Sequence, residues 1–289
     1  MEPILLDTDP GSDIDDALAL AYLLRQPRCE LLGVTTVTGD TVQRAGIVEV
    51  VCRAYGREDV PIVAGAQRPI AHGPGQPHVP HYAAIADRTH RNDYRPNEAV
   101  HFLRESIRAR PGEITLLSIG PLTNVALLFA LDPEIPGLLK GFVSMLGSFF
   151  ETGRNEWNAI ADPAATTSLF GHSVPQTLVG LDVTLRCHMA AEEVRARFAK
   201  PPHDVLLAMA EKWFEHTGKI TFHDPLAAAL IFEPELCKLR RGTVSSPATA
   251  DKDFRMGHTF FSEGDGPHFV AETVDHESFF AHYFEVVGA

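Results

Sequence analysis

The chain has 289 residues, 45% of them hydrophobic, and a formal net charge of −13 from 38 acidic against 25 basic side chains. That size supports one α/β unit over residues 1–289 with a large core, while the acidic balance excludes a generic binder of nucleic acid or anionic membrane, which needs basic surface. No leader-like segment or membrane-length apolar run stands out, so a cytoplasmic protein is expected, and the isolated Cys29, Cys52, Cys187 and Cys237 predict buried free thiols without a zinc or redox motif.

Pro3-Ile4-Leu5-Leu6 reads as a buried strand that delivers Asp7 to its C-terminal edge, where open α/β sheets bind ligands. Asp7, Asp9, Asp13, Asp15 and Asp16 place five carboxylates within ten residues, around a Pro10-Gly11 turn. Helix capping by Asp13, with Asp15 and Asp16 in the first turn, explains three of them. It leaves Asp7 and Asp9 unexplained, and carboxylates crowded at a strand tip point to a hard divalent cation. An EF-hand fails, because the positions that need Gly and Glu hold Ser12 and Leu18. A haloacid dehalogenase-type phosphatase, with Asp7 phosphorylated and Mg²⁺ bound, is the weaker alternative, since Gly11 stands where Thr or Val is usual.

Residues 14–25 then predict a helix with Leu18, Ala21 and Leu24 inward, ended by Pro27, and residues 30–37 a second strand. This alternation implies a mostly parallel sheet flanked by helices, a Rossmann-like architecture. Asp40 closes the second strand as a substrate-facing residue or as the cap of the helix over 42–55. After a short strand at 61–65 comes a loop-rich insertion, about 67–96, whose His72, His78, His81 and His90 read as solvated side chains. A helix over 97–108 and a strand over 114–119 lead to Gly120-Pro121-Leu122-Thr123-Asn124, which frees the Ile119 carbonyl, while Thr123 and Asn124 read as turn and cap.

The strand at 141–146 precedes Asn155-Glu156-Trp157-Asn158, read as extended, with Glu156 and Asn158 on one side and Trp157 packed on the other. Asp162 reads as a helix cap, and residues 176–184 as a strand. Helices follow at 190–200 and 205–215, then His223-Asp224-Pro225 opens an apolar helix, with Asp224 either a cap or a metal carboxylate. Strands at 238–245 and 268–273 and a helix at 278–286 complete the chain.

Taken in order, Asp7-Thr8-Asp9-Pro10-Gly11 with Asp15-Asp16-Ala17, Val34-Thr35-Thr36-Val37-Thr38-Gly39, Gly120-Pro121-Leu122-Thr123-Asn124, Glu156-Trp157-Asn158 with Ala161-Asp162-Pro163, and His223-Asp224-Pro225 resemble the inosine-uridine-preferring nucleoside hydrolase family over residues 3 to about 232. The resemblance implies a single α/β domain holding one Ca²⁺ at the C-terminal strand edges, ligated by Asp7, Asp16, the Ile119 carbonyl and Asp224. It places ribose on Asp15, Glu156, Asn158 and Asp40, and His223 beside the leaving base. The implied reaction splits a small-molecule ribonucleoside into ribose and free base, with water activated by the ion, Asp7 as general base and a protonated His223 as donor. It further implies a homodimer or homotetramer. A Ca²⁺ and riboside binder without turnover is the alternative from another class.

The departures are specific. Three residues, Ser12, Asp13 and Ile14, separate Gly11 from Asp15-Asp16 where the commonest form has one. Asp40 replaces the usual Asn, Arg154 or Asn155 stands in for the Asn that meets the 5′ hydroxyl, and the insertion lacks the usual His-Gly pattern, leaving base preference open.

Overall fold

In β1 (Glu2–Thr8) every residue after Glu2 is buried, as a parallel strand covered on both faces requires. The structure, a computed structural model, describes residues 1–150, 155–172, 175–247, 249 and 256–289. The remaining strands are β2 (Cys29–Thr36), β3 (Ile62–Ala64), β4 (Thr115–Ser118), β5 (Gly141–Met145), β6 (Gln176–Val179), β7 (His188–Ala190), β8 (Lys219–Thr221), β9 (Cys237–Ser245), β10 (Phe260–Glu263) and β11 (His268–Val274). Among the described residues these strands and β1 form one nine-stranded sheet, apart from β7 and β8, in the order β10-β9-β11-β6-β5-β4-β1-β2-β3. It is parallel from β3 through β11, with β9 and β10 added antiparallel at one edge. β7 and β8 pair separately.

Chain order reverses at β1, with β2 and β3 on one side and β4 to β6 on the other. The crevice beyond the C-terminal ends of β1 and β4 is therefore a topological switch point, where such sheets take ligands.

Helices cover both faces: α1 (Asp15–Arg25), α2 (Thr41–Ala54), α3 (Ala99–Ala109), α4 (Thr123–Leu131), α5 (Ile135–Leu138), α6 (Trp157–Ala161), α7 (Pro163–Phe170), α8 (Leu181–Thr184), α9 (Ala191–Phe198), α10 (Asp204–Phe214), α11 (His223–Leu230) and α12 (His276–Val287). Successive residues of a strand face opposite ways. Accordingly Ile4 and Leu6 join the core under α1, α2, α11 and α12, and Leu5 joins the core under α3, α4 and α7. Among the described residues no helix is long and apolar enough to cross a membrane. All four cysteines are buried and free, and burial pushes their thiols up to about 12.

Several local expectations are corrected. Residues 181–184 are the helix α8, not the end of a strand, because the chain leaves the sheet at Gly180 and Asp182 accepts the N–H groups of Phe149 (2.8 Å) and Phe150 (3.0 Å). Glu156-Trp157-Asn158 is not extended: Glu156 caps α6 by accepting from Asn158 N (2.7 Å) and Ala159 N (2.9 Å). Asp13 does not cap α1: Ile14 holds the cap position with no side-chain cap bond, and Asp13 Oδ1 accepts the N–H of Ile14 at 2.6 Å. Asp224 makes no cap bond either, and Phe222 occupies that position. Asp40 and Asp162 do cap their helices, through Gln43 N (3.0 Å) and Ala165 N (3.0 Å). Within 67–96 the regular structure is one 3₁₀ turn, Pro80–Ala84, and His72 and His78 are exposed. His81 is buried instead, its N–H on the Gly11 carbonyl at 3.0 Å, and His90 takes the Tyr82 hydroxyl at 2.8 Å.

Candidate active site and cation site

The opening motif builds the floor of a cavity of about 370 Å³. Asp9 is the first residue beyond β1, the turn at Pro10-Gly11 reverses the chain, and Asp15 and Asp16 open α1. From the far end of the sequence α11 brings Asp224, whose peptide N–H donates to Asp15 Oδ2 at 3.2 Å. Asp9, Asp13, Asp15, Asp16, Glu156 and Asp224 all line this space, with Ile119, Met145 and Asn158 between them. The outer wall carries Gln76, Asn155, Trp157, Leu181, Trp213 and His223.

Carboxylate oxygens of Asp15, Asp16 and Asp224 lie within 4.8 Å of one another. At that separation two like charges repel by roughly 3 kcal/mol at an effective dielectric of about 20. Burial first, and then the neighbouring carboxylates, push the acids of Asp9, Asp15 and Asp224 well above the ordinary range. Burial also raises Asp13, to about 7. Asp16 is raised less freely, because Thr8 Oγ1 and Asp9 N (2.9 Å) both donate to its Oδ1.

Every donor in this cluster is oxygen, with no cysteine or histidine among the three convergent carboxylates. Such a set suits a hard cation. Among the described residues nothing donates a hydrogen bond to the Asp9 carboxylate, which rests against Gly120, where a Cβ would stand 2.8 Å from its Oδ1. The Ile119 carbonyl faces the same space and accepts from Asn158 Nδ2 at 2.9 Å.

Asp7, expected as a ligand and base, is set back from the cavity. It is still part of β1, so it points to the face of Leu5, beneath α4. There its Oδ1 accepts from Thr35 Oγ1 (2.6 Å) and from Asn124 Nδ2 (2.7 Å), its Oδ2 has no partner, and burial raises it to about 7. Asn124 is thus no helix cap: it also donates to Thr36 O (3.1 Å) and accepts from Ala66 N (2.9 Å), tying three segments together. Thr123 donates to Asp162 Oδ2 at 2.7 Å.

Of the expected ribose contacts, Asp15, Glu156 and Asn158 reach the cavity, and Asp40 does not; Asp40 lines a separate pocket with Gly39 and Arg68. Glu156 accepts the N–H of Gly147 at 3.0 Å as well as its cap bonds, which fixes its carboxylate rigidly. Trp157, expected to be packed away, is 44% exposed and lines the cavity. His223 Nδ1 pairs with Thr184 Oγ1 at 2.6 Å, and burial lowers the ring to about 4, so it is neutral at neutral pH rather than protonated. Arg154 lies outside the described residues, and Asn155 lines the cavity. Sequence reasoning missed Gln76, Leu181 and Trp213 in this wall, since no local signal marks a residue that reaches the crevice only through the fold.

A sequence model described as "Inosine-uridine preferring nucleoside hydrolase" matches residues 4–281. The chain is 28% identical over 290 residues to "Uridine nucleosidase 1" of Arabidopsis thaliana, covering 91% of this chain and 82% of the relative. It is 31% identical over 263 residues to "Pyrimidine-specific ribonucleoside hydrolase RihA" of Enterobacter sp. (strain 638), covering 81% and 80%. A "Purine-Preferring Ribonucleoside Hydrolase from Gardnerella vaginalis" shares the fold with a TM-score of 0.85 at 24% identity, over 99% of this chain and 98% of that one. With the match running through nearly the whole sheet and its crevice, this chain belongs to the inosine-uridine preferring nucleoside hydrolase family.

Proposed function

We propose that this chain hydrolyses the N-glycosidic bond of a ribonucleoside, with Ca²⁺ held by Asp9, Asp16, Asp224 and the Ile119 carbonyl. The observation that carries the reading is the convergence of Asp15, Asp16 and Asp224 at the switch point, in a cavity of about 370 Å³ that Asp9 and Ile119 also line together with Trp157, Leu181 and Trp213. A bound Ca²⁺ supplies an anchor for vicinal hydroxyls and lowers the pKa of water beside it.

The side chains do the rest. Asp9, to which no described residue donates a hydrogen bond, is the base that accepts the proton of the attacking water, in place of the Asp7 that the motif alone suggested. Asp15, Glu156 and Asn158 face the sugar hydroxyls and fix the ring for attack. As the bond to the base lengthens, positive charge grows on the ring, and the surrounding carboxylates favour it. Trp157 and Trp213 present flat apolar faces to the departing base. Neutral His223, if its Nδ1 accepts from Thr184, offers its other ring N–H to that base.

Release of free ribose from a panel of purine and pyrimidine ribosides tests this. Asp9→Asn is expected to lower kcat by about three orders of magnitude and Asp7→Asn by far less. The reverse ranking would return the base to Asp7, and a panel without product would leave a riboside binder. A phosphatase is disfavoured by the same geometry, because Asp7 is fully buried behind the cavity, out of reach of a phosphoryl group.

A further inference from the structure

Arg44, the fourth residue of α2, is completely buried. Among the described residues it makes no ion pair and gives all its hydrogen bonds to backbone carbonyls. Nε donates to Thr38 O at 2.8 Å, Nη1 to Pro10 O at 2.9 Å and to Asp9 O, and Nη2 to Gln76 O at 2.7 Å. Removing a guanidinium from water is costly, and direct pairing with a carboxylate is the usual compensation. Here the acidic groups of Asp9, Asp16 and Asp40 act on it through space, while the planar fork is used to join the opening motif, the β2–α2 connection and the 67–96 insertion.

Gln76 is held from its other side as well. Its N–H donates to Thr38 Oγ1 at 2.9 Å, and its carbonyl lies so close to Gly39 (φ 64°) that a Cβ there would collide with it. It is the residue of the insertion that lines the carboxylate cavity.

We propose that Arg44 is a positioning residue that sets Asp9, at the cation end of the cavity, and Gln76, on its outer wall, in one rigid frame. The substrate half of this inference rests on the riboside hydrolase reading; the cation half and the loop half do not. Neither role belongs to ordinary core packing, because Arg44 touches the cavity only through the backbones of the two residues that face it. A lysine keeps the charge but cannot span carbonyls of three segments with one ammonium group.

The test uses the full chain with Arg44→Lys, Gln76→Ala and the double variant. Circular dichroism checks that each is folded. Ca²⁺ binding is read by the fluorescence of Trp157 and Trp213, the chain's 2 tryptophans, both in the cavity wall. Trypsin reads the hold on the insertion, and KM and kcat are measured on whichever riboside is cleaved. Arg44→Lys is expected to weaken Ca²⁺ roughly tenfold, to speed cleavage within 67–96 roughly tenfold and to raise KM. With Ca²⁺ saturating in every KM measurement, Gln76→Ala is expected to raise KM with Ca²⁺ affinity unchanged, and in that background Arg44→Lys adds little to KM. A folded Arg44→Lys with Ca²⁺ affinity, cleavage rate and KM all within about twofold of the parent overturns the proposal, as do KM effects that simply multiply. Should Arg44→Lys fail to fold, Thr38→Val removes the other grip on Gln76: faster cleavage and a higher KM support the frame, and no change overturns it. A parent chain that cleaves no riboside refutes the function above, while the Ca²⁺ and trypsin measurements still decide the role of Arg44.

Discussion

Asp7 and Asp9 differ by two positions and by everything that matters chemically. Strand alternation still governs Asp7, which turns toward α4, whereas Asp9 has left the ladder and faces the crevice. The motif announced a carboxylate cluster, and Asp15, Asp16, Glu156, Asn158, His223 and Asp224 do converge. Which of the first two aspartates joins them depends on where β1 ends, and hydrophobicity does not mark that residue. Asn124 shows the same limit, since an asparagine at a helix start looks like a cap whether or not it reaches across the sheet. Its three buried hydrogen bonds predict that Asn124→Ala lowers unfolding free energy by about 3 kcal/mol, read by urea denaturation. A loss below about 0.5 kcal/mol would mean that Asp7 does not need this partner.

Elements built from long apolar runs were legible, and those held by few residues were not. β1, β2, β4 and β5 declare themselves because both faces are buried. β10 has an almost wholly exposed pattern and three-residue β7 and β8 have no periodicity to read. α6 forms because one carboxylate caps it, a tertiary-scale use of Glu156 that no local propensity signals. The pair that positions the site is α1 with α11, which pack directly on each other and carry small side chains such as Ala17, Ala21, Ala227 and Ala228 into one buried core. Enlarging one of these overpacks that core. Ala228→Leu is expected to cost about 1 to 3 kcal/mol in thermal or urea unfolding and to weaken Ca²⁺ binding, because Asp224 rides on α11 and Asp15 and Asp16 on α1. Unchanged Ca²⁺ affinity in a measurably destabilised variant would separate the site from this packing.

For the molecule as a whole, part of the net charge of −13 is concentrated in one cavity, where the proposed cation would compete with protons. Asp7 moves from its ordinary 3.8 to about 7, and burial and mutual repulsion also push Asp9, Asp15 and Asp224 well above the ordinary carboxylate range. The folded chain therefore binds more protons than the unfolded one between those values, so its stability falls as pH rises through about 4 to 7 and beyond. Melting without added cation is expected at a lower temperature at about pH 8 than at about pH 5.5, with Ca²⁺ raising it more at the higher pH. Equal Ca²⁺ shifts at the two values would show that the ion does not displace these protons. The contact between Asp224 and Asp15 joins residues 209 positions apart. On a translating ribosome, which adds about 5 to 20 residues per second, roughly 10 to 40 seconds separate the synthesis of its two halves. Throughout that interval the nascent N-terminal aspartates lack their counterpart, so the three-carboxylate site proposed for the cation is complete only after α11 has emerged and docked.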